Sequence, residues 1–224
     1  MPYIVCAEEM DGLWIAHVPD LPGSYSTHKD RETAIGGMPA AVEAYIAWAG
    51  GHGLRISGLS APMIVSEVIR SWLYEDEYEV NAFFASDRPP VTADELPEYE
   101  LLLGAARKDL MAETQNLTQD QLEREYSGER WSIAGVLGHL ARAELWYLDR
   151  IGLGFARAQL AEDPFQALAQ VREHLRASLP ALAGRTGAVA LSGEVWTPRK
   201  VLRRCLWHER DHTEHIRKLA ARAR

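Results

Sequence analysis

Cysteine is scarce in this sequence, which contains only Cys6 and Cys205 among its 224 residues. Two cysteines so far apart do not make a disulfide framework, and their scarcity suits a reducing cytoplasm. No apolar run reaches the roughly 18 residues that a membrane helix needs, and the first ten residues lack a basic region followed by an apolar core. We therefore expect a cytoplasmic protein with no membrane segment and no signal peptide.

Basic tracts are missing as well. Lysine and arginine together number 24 against 32 acidic residues, so the formal net charge is −8. Because proteins bind nucleic acids mostly by neutralising phosphates, this chain is not expected to have a nucleic-acid partner.

The segment "SDRPPVTADELP" (residues 86–97) contains three prolines and few apolar residues, which is typical of a connection between domains. Hydrophobic patterns are mixed before it and helical after it. We therefore predict an α+β protein with two domains, residues 1–88 and residues 95–224. The first is a small α/β module with a short antiparallel sheet, and the second is a four-helix bundle.

The N-terminal part contains local signals for a hairpin and a helix. Two apolar runs flank Asp11 and Gly12, which predicts a tight hairpin turn because glycine readily takes a positive φ. Asp30 is placed to cap the helix that follows. The stretch "YEVNAFF" (residues 78–84) alternates in polarity and predicts a further strand, whereas "APMIVSEVIRSWLY" (residues 61–74) is compatible with a helix or a strand.

The sequence "DGLWIAHVPDLPGSYST" followed by "ETAIGGMPAAVEAYIAW" resembles HicB-like domains, which are small antitoxin-type α/β modules. The hairpin, the P-D-L-P-G turn and the helix occur in the family's order, over about residues 2–50. The resemblance implies a degenerate RNase-H-like fold and often a protein partner, but it transfers no catalytic residue. A protein partner bound through this domain and a homodimer therefore both stay open.

Sequence signals for helix starts divide the C-terminal part into separate helical segments. Ser132 precedes one apolar-periodic segment, while Asp163 and Thr197 precede two others and are followed by Pro164 and Pro198. A capping side chain with proline at the first helical position is a typical helix start. Another periodic segment begins directly after the proline-rich connection, so four helices are predicted.

The stretch "HERDHTEH" places His208, His212 and His215 on one stripe of the last predicted helix. His208 and His215 are separated by about 10 Å along the axis, so only an adjacent pair can hold one ion. His208 and His212 also match the H-E-x-x-H signature of zinc proteases. His215 is too close in sequence to be the third ligand of that class, so a protease is disfavoured.

A third metal ligand is therefore expected upstream, on another helix. His139 has largely apolar helical neighbours and is predicted to point inward, whereas His174 lies among charged residues and is predicted at the surface. An inward histidine that faces an i, i+4 histidine pair favours a three-histidine metal site over ordinary packing.

The sequences "RWSIAGVLGHLARAELWYLDRI" and "WTPRKVLRRCLWHERDHTEHIRKL" resemble the DinB-like metal-binding bundles, which include bacillithiol- and mycothiol-dependent transferases. The resemblance covers about residues 95–222. In that family one histidine of the second helix and two of the last hold the metal, which corresponds here to His139, His208 and His212. The resemblance implies a divalent ion, with zinc or nickel expected, and a low-molecular-weight thiol as cosubstrate.

Three neutral histidines leave a coordination position open for a substrate. An ion held in this way lowers the pKa of a bound water or thiol, which indicates a transferase or a hydrolase acting on a small molecule. No catalytic residue is assigned. The alternative is a non-catalytic, metal-stabilised binding module whose HicB-like half recruits a partner.

Three neighbours of these histidines have their own expectations. Glu209 is expected to be a solvated surface residue rather than a general base, and Glu144 is expected to pair with Arg203 or Arg204. Cys205 lies one turn before His208 and is expected to be a small buried core residue rather than a fourth ligand.

Overall fold

The structure is a computed structural model that describes residues 2–56, 61–75 and 78–223. The chain divides into two compact units. One comprises the residues up to Pro90 together with Thr186–Arg203, and the other comprises Val91–Arg185 and the residues from Arg204 onward. The predicted domain ranges 1–88 and 95–224 stay a prediction.

The first unit contains a four-stranded sheet among its described residues. Its strands are β1 (Tyr3–Met10), β2 (Leu13–His17), β3 (Tyr25–His28) and β4 (Met63–Arg70), in the order β3-β2-β1-β4. The β1–β2 pair is the predicted hairpin, with positive φ at Asp11 and Gly12. The segment left open between helix and strand forms β4, which runs parallel to β1.

The protein is α+β as predicted, and the sheet is mixed, because β1–β2 and β2–β3 are antiparallel pairs whereas β1–β4 is parallel. A parallel pair needs a long crossover, and two helices lie in it, α1 (Arg31–Gly36) and α2 (Met38–Gly51). Asp30 caps α1 as predicted, because its Oδ1 accepts a 2.8 Å hydrogen bond from the Thr33 amide.

The predicted strand over residues 78–84 forms only at its start. Tyr78–Glu79 (β6) pairs with Leu73–Tyr74 (β5), whereas Val80, Ala82 and Phe84 are buried outside any strand. Carboxylate side chains accept hydrogen bonds from backbone amides of this segment that would bond to a neighbouring strand in a sheet. Glu194 accepts from Asn81, Glu8 from Ala82 and Asp87 from Phe84 at 3.0–3.1 Å.

A hairpin that the sequence did not predict completes the described strands of this unit. It consists of β7 (Val189–Leu191) and β8 (Glu194–Trp196). Behind it, Lys200 is fully buried and its Nζ donates to Glu194 Oε1 at 2.8 Å and to the Asn81 carbonyl at 2.9 Å.

The helical part contains the four long helices predicted, together with one short helix. They are α3 (Leu96–Thr114), α4 (Gln119–Glu123), α5 (Ile133–Arg150), α6 (Pro164–Leu182) and α7 (Pro198–Ala223). Ser132 Oγ accepts from the Gly135 amide, Asp163 Oδ1 from the Gln166 amide and Thr197 Oγ1 from the Lys200 amide, so the three predicted caps are present. None of the helices in the described part of the chain combines the length and apolar character needed to cross a bilayer.

Candidate metal centre

Three imidazoles converge in the helical unit. Nε2 of His208 lies 3.1 Å from Nε2 of His139 on α5 and 3.0 Å from Nε2 of His212, one turn further along α7. The three ligand atoms lie within 4.8 Å of one another, and they form the only such group found among the described residues. The structure therefore brings together the residues chosen from the sequence, and their binding of a metal stays a prediction.

Helical periodicity explains how the imidazoles meet. Two residues four positions apart on a helix are rotated by about 40° around its axis and separated by about 6 Å along it. His208 and His212 therefore lie on the same face of α7. His139 is held by a helix whose buried side includes Val136 and Leu140. Each helix thus directs its histidines inward because its apolar stripe is the side that packs.

The spacing of the nitrogens fits a shared cation. Three nitrogens at about 2.0–2.1 Å from one ion lie about 2.9 Å apart at right angles and about 3.4 Å apart at tetrahedral angles. The observed 3.0 and 3.1 Å fall within that range. Hydrogen bonds alone do not satisfy the cluster, because Nε2 of His208 has two nitrogen neighbours and carries only one proton or one lone pair.

The electrostatic surroundings keep the three imidazoles neutral at pH 7. Burial, followed by the charges of Arg142 and Arg130, lowers the pKa of His139 to about 4. Burial and the neighbouring histidines lower the pKa of His212 to about 3 and that of His208 well below its ordinary value. Neutral imidazole is the form that binds metals, so the lone pairs are available.

Four charges form a network beside the triad, three of them buried and the fourth, that of Arg107, partly buried. Arg172 Nη2 donates to Glu144 Oε2 at 2.8 Å and to Glu209 Oε2 at 2.6 Å. Arg107 bonds the same two carboxylates, to Glu144 at 3.2 Å and to Glu209 by a shorter contact. The Arg172 guanidinium holds the pKa of Glu144 below its usual value although burial opposes this.

This network corrects two sequence-based expectations. Glu209 is 2% exposed and not solvated. Glu144 pairs with Arg172 and Arg107 rather than with Arg203 or Arg204. Periodicity did not show which helices lie opposite Glu144, nor that Arg107 of α3 and Arg172 of α6 also cover the side of α7 that carries Glu209.

Three further candidate ligands of the helical unit lie outside the triad, namely Cys205, His174 and His215. Cys205 is buried, as expected, and burial raises the pKa of its thiol well above the ordinary value. His174 is partly buried rather than at the surface, with Nε2 2.6 Å from the Leu153 carbonyl. Nε2 of His215 lies 2.9 Å from Glu129 Oε2.

One aromatic contact of the site was not predicted. The indole of Trp131 stacks on the His139 imidazole, with centroids 4.4 Å apart and planes inclined by 21°. Gly135 permits this, because a Cβ placed there would lie 2.9 Å from Cβ of Trp131. The sequence signal for this contact is a tryptophan directly before the Ser132 cap, followed four residues later by Gly135.

Comparisons with known proteins bear on the same region. A family model described as the DinB superfamily matches residues 102–216, slightly more than half of the chain and including all three histidines. Neither the curated proteins nor the solved structures give a match. The matched range leaves out the N-terminal residues, so their resemblance to HicB-like domains stays a prediction.

Proposed function

This chain belongs to the DinB superfamily, and from that premise we propose that His139, His208 and His212 bind one divalent ion at the active site of an enzyme. The observation that carries the proposal is the convergence of three neutral imidazoles within 4.8 Å. Imidazole ligands suit zinc and nickel, which are the ions we propose.

The site is proposed to be open to a substrate. No cysteine or carboxylate joins the three histidines within the described residues, and His139 and His212 are only partly buried. A bound ion with three neutral ligands keeps its full charge and lowers the pKa of a thiol or water at its free position.

The carboxylates near the triad favour a thiol over water as the nucleophile. Activation of water commonly uses a general base, but Glu209 is held by Arg107 and Arg172. Glu144 is held by the same two arginines. A thiol has an ordinary pKa of about 8.5 and needs only a modest lowering to ionise at neutral pH. We therefore propose transfer of a low-molecular-weight thiol to an electrophile.

Metal analysis of the purified full-length protein tests the proposal. We expect about one zinc or nickel ion per chain, and loss of that ion in His139→Ala. His174→Ala is the matched control, since His174 is also partly buried but lies outside the triad. Wild-type protein that stays metal-free after addition of zinc and of nickel would contradict the site, and metal-loaded protein that turns over no thiol would favour the binding module.

A further inference from the structure

Two arginines flank the triad on its α5 side. Arg130 lies over the indole of Trp131, with Cζ 4.5 Å from the ring centroid, and that indole stacks on His139. Arg142 follows His139 by three residues on α5. Both arginines are exposed, and both charges act on the His139 imidazole.

Glycine allows Arg142 to fold back along its helix. A Cβ placed on Gly138 would lie 3.0 Å from Nη1 of Arg142, so the guanidinium occupies the space over this residue. Gly138 directly precedes His139, so the exposed guanidinium lies against α5 next to a residue of the triad, and its charge acts on the His139 imidazole.

The positive charge of these two arginines is not balanced by described carboxylates. Glu129, the acidic residue next to Arg130, is 2.9 Å from both His215 and Arg222. The deeper carboxylates, Glu144 and Glu209, are bound by arginines of the buried network. The described residues form no ion pair with Arg130 or Arg142, so both exposed guanidinium groups are open to an anion.

We propose that Arg130 and Arg142 form an anion subsite, and that the substrate taken at the triad is a small thiol bearing a carboxylate. Guanidinium groups match the planar fork of a carboxylate and bind it through charge-assisted hydrogen bonds. The thiol sulfur is directed to the open position beside the histidines, while the carboxylate is held at the arginines. This inference rests on the proposed function, because it assigns a substrate class to the same site.

Two thiols of the same chain length, one ending in a carboxylate and the other in a neutral hydroxyl, test the subsite. Cobalt-loaded full-length protein is titrated with 3-mercaptopropionate and with 3-mercaptopropanol, and binding is followed by the sulfur-to-cobalt charge-transfer band. We expect the carboxylate probe to bind about tenfold more tightly, as charge-assisted hydrogen bonds predict. The preference should shrink as ionic strength rises, because the arginines are exposed.

Substitutions of the two arginines test whether they cause the preference for the carboxylate probe. Arg130→Gln and Arg142→Gln should each reduce it, and the double variant should abolish it, with cobalt content and affinity for the neutral probe unchanged. Arg157→Gln is the control, since Arg157 is also an exposed arginine of the helical unit. It should keep the full preference.

The outcomes separate this inference from the proposed function. Equal affinity for both probes in the wild type, or a preference that survives in the double variant, overturns the anion subsite and leaves thiol binding intact. Failure of both probes to give the band overturns the thiol chemistry, and the subsite with it.

Discussion

Nη2 of Arg172 donates a 2.6 Å hydrogen bond to Oε2 of Glu209, and both side chains are buried. Glu209 directly follows His208, and adjacent residues on a helix point about 100° apart. The rotation of α7 that directs His208 toward His139 is therefore the same rotation that buries Glu209 against Arg172. The ion pair and the triad are two consequences of one helix orientation.

Glu209→Gln should destabilise the protein by about 3–5 kcal/mol, because removing one partner leaves buried arginine charge uncompensated. The free energy of unfolding from urea titration is the measurement. Glu214→Gln is the matched control on the same helix, because the Glu214 side chain also makes an ion pair but is 44% exposed. Its effect should stay below about 1 kcal/mol. Equal effects of the two substitutions would contradict a buried network.

Lys200→Met should also destabilise the protein by about 3–5 kcal/mol, because Glu194 would keep a buried charge without its 2.8 Å partner. Thermal and urea unfolding measure the loss. Lys218→Met is the control, since Lys218 is an exposed lysine of the same helix. A Lys200 variant as stable as the control would show that Glu194 is not buried as a charge.

Stability of the metal-free protein should fall as the pH is lowered from about 6.5 toward 4. The ordinary histidine pKa of 6.5 applies to the unfolded chain, whereas His139 and His212 titrate at about 4 and 3 when folded. Between these values the unfolded state binds more protons, so stability rises with pH. Each histidine contributes at most about 1.4 kcal/mol per pH unit.

Urea midpoints measured with a chelator between pH 5 and 7.5 check this dependence. Most carboxylates stay ionised in that range, and His139→Gln should flatten the slope. A wild-type slope no steeper than that of the variant would show that His139 is not buried neutral.

Cobalt-loaded wild-type protein should show no sulfur-to-cobalt band before a thiol is added, and Cys205→Ser should leave metal content unchanged. The reason is that the group of ligand atoms within 4.8 Å of one another in the described residues consists of His139, His208 and His212 and does not include Cys205. A band in the thiol-free wild type that vanishes in Cys205→Ser would give the ion a fourth protein ligand and close the site.

Local features of this protein were determined by the sequence itself. The hairpin turn at Asp11 and Gly12 and the caps at Asp30, Ser132 and Asp163 depend on neighbours within a few residues, and all five residues occupy the predicted roles. The histidines of α7 follow the same logic, because the helical repeat alone puts His208 and His212 on one face.

Selection of His139 needed one further step, the inference that its apolar neighbours turn it inward. That inference was sound because apolar residues that recur with the helical period mark the face of a helix that is buried. The family resemblance pointed to the same residue, and the structure places its Nε2 3.1 Å from that of His208.

Only the tertiary structure decided the pairings between distant segments. The parallel register of β4 on β1, the carboxylates that hold the backbone at residues 81–84, and the partners of Glu144 and Glu209 all join residues far apart in the chain. A periodic pattern states that a side chain is buried, but the charge or amide that meets it depends on which elements pack face to face. Burial of a carboxylate is tolerated only where such a partner exists, and that partner is a property of the fold.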